Sequence, residues 1–150
     1  ETLATAASYR APWRRGQRCL LPAAGFYEWH VAEDGGKTPW FIQATDQTVF
    51  GFAGLWDRSV RTDGSEVLSC TIVTLPANPL LARIHNIKQR MPAILERDER
   101  DAWLGGDAAL AQRALRPYPE ERLRAWPVRR QVNSPRNDGA ELIAPLDAAE

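Results

Sequence analysis

The feature that most constrains this fold is a succession of strand-like apolar segments joined by tight turns. The segments span residues 19–31, 38–44, 48–57 and 67–75, with a last one at 122–132. The turn sequences Glu33-Asp34-Gly35-Gly36 and Thr62-Asp63-Gly64-Ser65 favour hairpins between neighbouring segments. Hairpin connections join antiparallel strands, because parallel neighbours need a long crossover. The sequence therefore predicts a mainly antiparallel sheet, with residues 67–75 as a buried strand.

Short helical segments follow the strands. A helix is predicted at residues 96–104, because acidic residues occupy its first turn and Gly105 terminates it. Asp107 caps a second predicted helix that runs to about Leu115. Strands and helices do not alternate as βαβ units, so the predicted class is α+β with an antiparallel, barrel-like sheet. A chain of 150 residues fits one domain over residues 1–150.

The charge balance excludes a globally basic nucleic-acid binder. The formal net charge is +0, so any DNA contact must come from local clusters. Arginines cluster at residues 10–18 and again at residues 129–136. Neither a membrane-spanning run nor a signal-peptide pattern is found in the sequence, so we expect a soluble, intracellular protein.

The two cysteines do not predict a metal site. Cys19 and Cys70 both lie in apolar, strand-like contexts, and neither has the spacing of metal ligands. We therefore expect two buried free thiols in a reducing compartment, and no metal or cofactor.

A single carboxylate lies inside the aromatic run Gly25-Phe26-Tyr27-Glu28-Trp29. In an extended strand Phe26, Glu28 and His30 share one face. Aromatic neighbours remove water from a carboxylate, which raises its pKa and suits it to general acid/base chemistry. The alternative is a partly exposed strand carboxylate that pairs with an arginine.

Three residues in loop sequences are further candidates. His85 follows an apolar segment and is a candidate for proton transfer, or a surface histidine. Arg90 suits a phosphate, or pairs with Glu28 or Asp57. Arg136 lies in a run of turn-forming residues, which either presents it to a ligand or forms a tight turn.

Six motifs in a fixed order resemble the SRAP family, the SOS response-associated peptidases. They read RCLLPAAGFYEW, KTPWFI, GFAGLW, TIVTLPAN, IH…RMPAIL and VNSPRNDGAELI. The family includes proteins that crosslink to abasic sites in single-stranded DNA. The resemblance implies that residues 1–150 are the C-terminal majority of an SRAP domain. It also implies an SOS and DNA-damage role in the cytoplasm, associated with the nucleoid.

The resemblance implies roles for individual residues. Glu28 and His85 match the family's catalytic glutamate and histidine, and Arg90 matches a DNA-contacting arginine. Thr74 falls where the family has a threonine near the active site, and we place it with Arg90 and Arg136 among the DNA-binding residues. The implied partner is single-stranded DNA containing abasic sites, and no membrane is involved.

Two departures from the family pattern affect the implied chemistry. The family has one residue between this histidine and arginine, whereas four separate His85 from Arg90 here. The family's nucleophile is an N-terminal cysteine that forms a thiazolidine with the abasic-site aldehyde and is freed by self-processing. These 150 residues do not contain it. We therefore expect beside Glu28 an open apolar groove or a second chain that fills it, with the protein's own N-terminal segment as a further partner.

Two other functions remain open at this point. One is a single-stranded DNA-binding module without chemistry. The other is a thiol protease that uses Cys19 or Cys70 with His85.

Overall fold

A computed structural model describes residues 3–146 of the chain. Its helices and strands are, in chain order, α1 (Ala7–Arg14), β1 (Arg18–Ala23), β2 (Phe26–Val31), β3 (Lys37–Ala44), β4 (Phe50–Val60), β5 (Glu66–Ile72), β6 (Thr74–Pro76), α2 (Pro79–Ile84), β7 (Arg90–Pro92), β8 (Ile94–Leu95), α3 (Arg100–Gly105), α4 (Ala108–Ala114) and β9 (Leu123–Pro127). Short 3₁₀ segments lie at Arg97–Glu99, Glu120–Arg122, Arg130–Asn133 and Ala140–Ile143.

The chain divides into two compact units. The first contains the residues up to Ala23 together with Phe50–Leu75 and Pro92–Tyr118. The second contains Ala24–Val49, Pro76–Met91 and the residues from Pro119 onward.

The first unit is built on a sheet with β4 at its centre. β1 and β5 pair antiparallel with β4 on its two sides, and the short β8 also pairs with it. A Cβ at Gly54 would lie 2.2 Å from a methyl group of Leu21 and 2.9 Å from the Sγ of Cys19. This strand therefore needs glycine where neighbouring side chains cross its backbone closely.

The strand predicted at residues 67–75 is shorter and more exposed than expected. β5 ends at Ile72 and pairs with β4 alone among the described strands, so it forms an edge of the sheet. Leu68 is 71% exposed and Cys70 is exposed, whereas Cys19 is half-buried. The expected buried strand and the two buried thiols are therefore wrong. An apolar, β-branched composition does not distinguish an edge strand from a central one.

The second unit contains a sheet in the order β2-β3-β9. β2 and β3 pair antiparallel from Phe26 opposite Ile42 to Val31 opposite Lys37, which confirms the hairpin at the Glu33–Gly36 turn. β9 pairs with the other side of β3, so the outer side of β2 is a free edge of this sheet.

The single strand predicted at residues 19–31 is divided between the two units. β1 ends at Ala23 and β2 begins at Phe26. A Cβ at Gly25 would lie 2.2 Å from the Phe41 ring and 2.8 Å from the Ile42 carbonyl oxygen, so the break requires glycine. The apolar pattern runs unbroken through this position, because the side chains of both strands are mostly half-buried.

Aromatic rings support one face of this second sheet. The Phe41 ring lies 5.3 Å from the ring of Tyr27 and 5.3 Å from that of Trp126, at tilted angles. Tilted pairs at this separation are favourable because the edge of one ring meets the face of another. By the alternation of the strand, Glu28 lies on the opposite face, in register with Trp40.

The helical predictions are confirmed in part. The predicted helix at residues 96–104 begins with the 3₁₀ segment and continues as α3, after a capping box between Glu96 and Glu99. Asp107 caps α4 by accepting a hydrogen bond of 2.8 Å from the Leu110 N–H, as predicted. The final strand, predicted to reach Val132, ends at Pro127 and is followed by a 3₁₀ segment.

The architecture is mixed α+β with mainly antiparallel pairing, as predicted. Within residues 3–146, β6 and β7 pair as a third, two-stranded sheet, and no sheet closes into a barrel. A search of these described residues found no helix with the length and apolarity to cross a membrane.

Candidate active site

The helix α2 sets the position of His85. Asn78 caps its start by accepting a hydrogen bond of 2.9 Å from the Leu81 N–H, and Pro79 occupies the first turn, where a missing N–H costs nothing. The helix ends at Ile84, and the N–H of His85 still donates to the Leu81 carbonyl at 2.7 Å. His85 therefore lies at a fixed C-terminal helix end.

The loop after His85 is held against the free edge of β2. The side-chain oxygen of Asn86 accepts a hydrogen bond of 3.0 Å from the Val31 N–H, and its nitrogen donates one of 2.8 Å to the Val31 carbonyl. Nδ1 of His30 lies 3.0 Å from the Arg83 carbonyl oxygen. His30 is thus a structural contact between β2 and α2.

The same loop closes through Gln89. Its N–H donates to the His85 carbonyl at 2.8 Å, and its carbonyl accepts from the Ala77 N–H at 2.9 Å. Its φ of +48° is in the left-handed region, which non-glycine residues adopt at a cost. This geometry turns the chain back so that Arg90 follows directly beside His85.

Glu28 and His85 meet in this arrangement. Oε2 of Glu28 lies 3.7 Å from Nδ1 of His85, and each side chain is 22% exposed. The same Nδ1 lies 2.9 Å from the Arg90 carbonyl oxygen. Because a carbonyl only accepts, Nδ1 is the ring nitrogen that donates in this contact, which leaves Nε2 of the neutral ring as an acceptor.

The environment of Glu28 favours its protonated form. Burial raises the pKa of the Glu28 carboxyl above its usual value, and this is the largest effect on it. His85, the backbone N–H of Trp29 and the Arg90 guanidinium act in the opposite direction. The net result is a raised pKa, as expected for a carboxyl opposite Trp40 on the same sheet face.

A cavity of about 570 Å³ opens at this pair. Besides Glu28 and His85, three cationic side chains line it, namely Lys37, Lys88 and Arg90. Its apolar lining comes from Trp29, Val31 and Ile87. The open groove expected beside Glu28 is therefore present, but its lining is mixed. The three cationic side chains suit the anionic part of a ligand, and the indole ring suits stacking on a flat, unsaturated group of the same ligand.

A search of residues 3–146 found no group of three or more histidine, cysteine, aspartate or glutamate side chains that could hold an ion.

Comparison with known proteins identifies the family. The family model described as SOS response associated peptidase (SRAP) matches residues 1–135. The chain belongs to the SRAP family. It is 36% identical over 146 residues to the abasic site processing protein YoqW of Bacillus subtilis, covering 95% of this chain and 63% of that protein. It is 33% identical to the abasic site processing protein HMCES of Gallus gallus, covering 98% of this chain and 49% of that protein.

A solved structure supports the same fold. An X-ray structure of a Bacteroides thetaiotaomicron protein matches with a TM-score of 0.88 and 31% identity. The match covers 97% of this chain and 63% of that one. This SRAP chain thus spans less than two thirds of each of these related chains.

The structure brings together some of the residues predicted from the SRAP resemblance. Glu28, His85 and Arg90 line one cavity in the second unit. Thr74 lies exposed on β6. Arg136 is also exposed, and it follows the 3₁₀ segment Arg130–Asn133. Neither belongs to the described cavity lining, so DNA contacts at these two residues remain predictions.

Arg90 lines the same cavity as His85, at the end of the longer loop of this SRAP chain. The four residues after His85 form the turn closed by Gln89, and Arg90 acts electrostatically on Glu28. Asp57, the other carboxylate considered for it, pairs with Arg15 at 2.9 Å.

Sequence reasoning missed several residues of the site. Asn86 holds the loop, and Asn133 accepts a hydrogen bond of 2.8 Å from the Trp29 indole. Lys37 and Lys88 complete the cation set. The adjacency of Asn86 to His85 was the one available signal, since the other contacts join residues distant in sequence.

The described cysteines do not support a thiol protease. Burial is the main cause that raises the pKa of the Cys19 thiol, with the Cys70 charge as a second cause. A raised pKa lowers the fraction of nucleophilic thiolate. Neither cysteine belongs to the described lining of the cavity that contains His85.

The N-terminal arginine cluster is in part structural. The Arg18 guanidinium donates to the carbonyls of Trp103 and Gly106. It also lies 5.7 Å and 5.9 Å from the ring centroids of Trp13 and Trp103. Arg18 therefore holds α3 and β1 together, and its donors are engaged by these carbonyls rather than by a ligand.

Proposed function

We propose that this chain carries the acid/base centre of an enzyme that processes abasic sites in DNA. The observation that supports this best is the Glu28–His85 pair, with its atoms 3.7 Å apart in a cavity lined by cations. The names of YoqW and HMCES, abasic site processing proteins, agree with it. DNA repair in the DNA-damage response is the corresponding role, at the nucleoid in the cytoplasm.

The chemistry requires proton transfers near neutral pH. An abasic site opens to an aldehyde, and a nucleophile that adds to it must lose protons while the aldehyde oxygen leaves as water. A carboxyl with a raised pKa can donate a proton to that oxygen, and the Nε2 of His85 can accept one from the nucleophile.

The substrate is proposed to be single-stranded. Lys37, Lys88 and Arg90 attract the phosphates that flank the lesion, and Trp29 offers a face for stacking an adjacent base. An abasic residue must leave the duplex to enter a cavity of this size, and a single strand meets that requirement without unpairing.

The final product is proposed to be a covalent DNA–protein crosslink. Its nucleophile is an N-terminal cysteine outside these 150 residues, whose amine and thiol close a thiazolidine on the aldehyde carbon. Self-cleavage that frees this cysteine would account for the peptidase in the family description. Glu28 and His85 would serve both reactions, since in each a nucleophile attacks a carbonyl carbon and protons must be transferred to the oxygen and from the nucleophile.

The test compares three DNAs with the full-length protein. These are a single strand with one abasic site, the same strand undamaged, and the abasic strand in a duplex. We expect a heat-stable adduct with the first DNA, and a large loss of its rate in Glu28→Gln and His85→Ala. An adduct rate unaffected by both substitutions contradicts the proposal.

The binding-module alternative has a distinct signature in this test. A module without chemistry binds undamaged and abasic single strands alike and forms no adduct that survives denaturation. The carboxyl with a raised pKa beside a histidine favours the enzyme, because binding phosphates does not need such a pair.

A further inference from the structure

Lysine is rare in this chain, and its placement is uneven. Of the 19 lysine and arginine residues, only Lys37 and Lys88 are lysines. Both line the cavity that contains Glu28 and His85. Arginine binds phosphate at least as well as lysine, through a planar fork of donors. Phosphate attraction alone therefore does not explain why both lysines lie here.

The two lysines have different positions relative to the acid/base pair. Lys37 begins β3 opposite Val31, so it emerges on the sheet face opposite to that of Glu28. Lys88 lies in the loop between His85 and Arg90, and that loop is fixed to β2 by Asn86. Lys88 is thus the amine carried by the same element as His85.

Both amines are available for chemistry. Each lysine is exposed, and within residues 3–146 no hydrogen bond or ion pair engages either ammonium group. A primary amine adds to an aldehyde, whereas a guanidinium does not. A cavity that contains a free amine, a carboxyl and an imidazole has the groups needed to form an imine.

We propose that Lys88 captures the aldehyde of an abasic site as a reversible imine. This inference rests on the proposed function, and it names a second nucleophile that is present within this chain. Lys37 acts beside it as a cation for a flanking phosphate. The imine would hold the lesion in the cavity until the slower, permanent crosslink forms.

The steps balance without any further reactant. The unprotonated amine of Lys88 forms a bond to the aldehyde carbon, and the carbonyl oxygen takes a proton from the Glu28 carboxyl to become a hydroxyl. The nitrogen gives up one proton to Nε2 of His85. His85 then passes this proton to the hydroxyl, which leaves as water while the nitrogen lone pair completes the carbon–nitrogen double bond of the protonated imine.

Reductive trapping tests the inference. The 150-residue chain is incubated with single-stranded DNA carrying one abasic site, in the presence of sodium cyanoborohydride. Reduction converts an imine into a stable secondary amine, which is resolved on a denaturing gel and assigned by peptide mass spectrometry. The α-amino group and the two lysines are the primary amines of the chain, so the assignment is unambiguous.

Matched substitutions distinguish the role of Lys88 as a nucleophile from its role as a positive charge. Lys88→Arg keeps the positive charge but removes the amine, so we expect the trapped adduct to fall at least about tenfold. Arg61→Lys, at an exposed turn outside the described cavity lining, is the control, and it should neither gain an adduct at position 61 nor lower the adduct at Lys88. Glu28→Gln should slow trapping at Lys88 without moving the adduct to another amine.

Binding is measured in parallel by fluorescence anisotropy without reductant, so that the two hypotheses fail separately. If the chain prefers abasic DNA but no adduct maps to Lys88, the imine inference is wrong and the proposed function stands. An adduct confined to Lys37 or to the α-amino group also overturns it. If the chain shows no preference for abasic DNA, the proposed function is contradicted, whereas an adduct at Lys88 still supports the inference.

Discussion

The side chain of Asn86 and the backbone of Val31 exchange two hydrogen bonds, at 3.0 Å and 2.8 Å. Asn86 thereby occupies the place of a neighbouring strand residue at the free edge of β2. The strand that carries Glu28 and the loop that carries His85 are joined at this point. The strand and the loop that carry this pair are thus joined by an asparagine that has no assigned part in proton transfer.

Asn86→Ala should weaken this junction. The substitution removes both hydrogen bonds and leaves the Val31 groups unpaired, so the free energy of unfolding should fall by about 1–2 kcal/mol. Chemical denaturation measures this loss. Asn137→Ala is the control, because Asn137 is exposed and makes one side-chain hydrogen bond, to the Gln131 carbonyl. Equal losses for the two variants would show that the Asn86 junction is not special.

Asn86→Asp tests the same contact with Val31 in a second way. Aspartate still accepts from the Val31 N–H but places an oxygen against the Val31 carbonyl, so repulsion replaces one hydrogen bond. We expect the His85 ring signals in NMR spectra to shift and broaden as the loop loosens. Unchanged His85 signals would contradict the positioning role of Asn86.

Glu28→Gln should separate chemistry from binding. Glutamine keeps the size of the side chain but cannot donate a carboxyl proton, so crosslinking to abasic DNA should slow by about 10²-fold or more. The affinity for the DNA should change little by comparison. Glu33→Gln, at the exposed turn after β2, is the matched control with an unchanged rate. An equal loss of rate and affinity would mark Glu28 as structural.

The raised pKa of Glu28 predicts a pH dependence of stability. Above the ordinary value of 4.5 the unfolded chain releases this proton, while the folded protein retains it up to a higher pH. The folded state binds more protons in that window, so stability falls as the pH rises through it. The stability of Glu28→Gln relative to the wild type should therefore increase above pH 4.5 and then level off. Urea unfolding across this range measures the difference, and a decreasing difference would contradict the raised pKa.

Arg90 should contribute to the salt dependence of DNA binding. Loss of one phosphate contact reduces the slope of log affinity against log salt by about 0.7 to 1. Arg90→Ala should show this change, measured by anisotropy at several salt concentrations. Arg61→Ala, at the exposed turn between β4 and β5, is the control with an unchanged slope. An unchanged slope for Arg90→Ala would exclude its phosphate contact.

Substitutions at Gln89 should change the free energy of unfolding according to how well the new residue adopts a positive φ. Its φ of +48° suits glycine better than glutamine, but glycine also increases the entropy of the unfolded chain. We expect Gln89→Gly to change the free energy of unfolding by less than about 1 kcal/mol, and Gln89→Val to lower it clearly. Thermal unfolding compares the two, and equal stability would show that the turn does not require this conformation.

The sequence by itself determined much of the local structure. The Glu33–Gly36 turn, the Asp107 cap and the period-two pattern of β2 depend on neighbouring residues, so each was predicted correctly. The raised pKa of Glu28 was also predicted, because aromatic residues lie beside it in the sequence, whereas its register opposite Trp40 came from the structure.

The tertiary structure alone decided which segments are edges and which residues meet. β5 has the composition of a buried strand, yet its place beside β4 alone exposes Leu68 and Cys70. The break at Gly25 depends on the Phe41 ring, which is distant in the sequence. The cavity, likewise, unites Glu28 with Lys88 through a loop held by two hydrogen bonds. Such contacts depend on the three-dimensional packing of distant segments, which local patterns in a sequence do not encode.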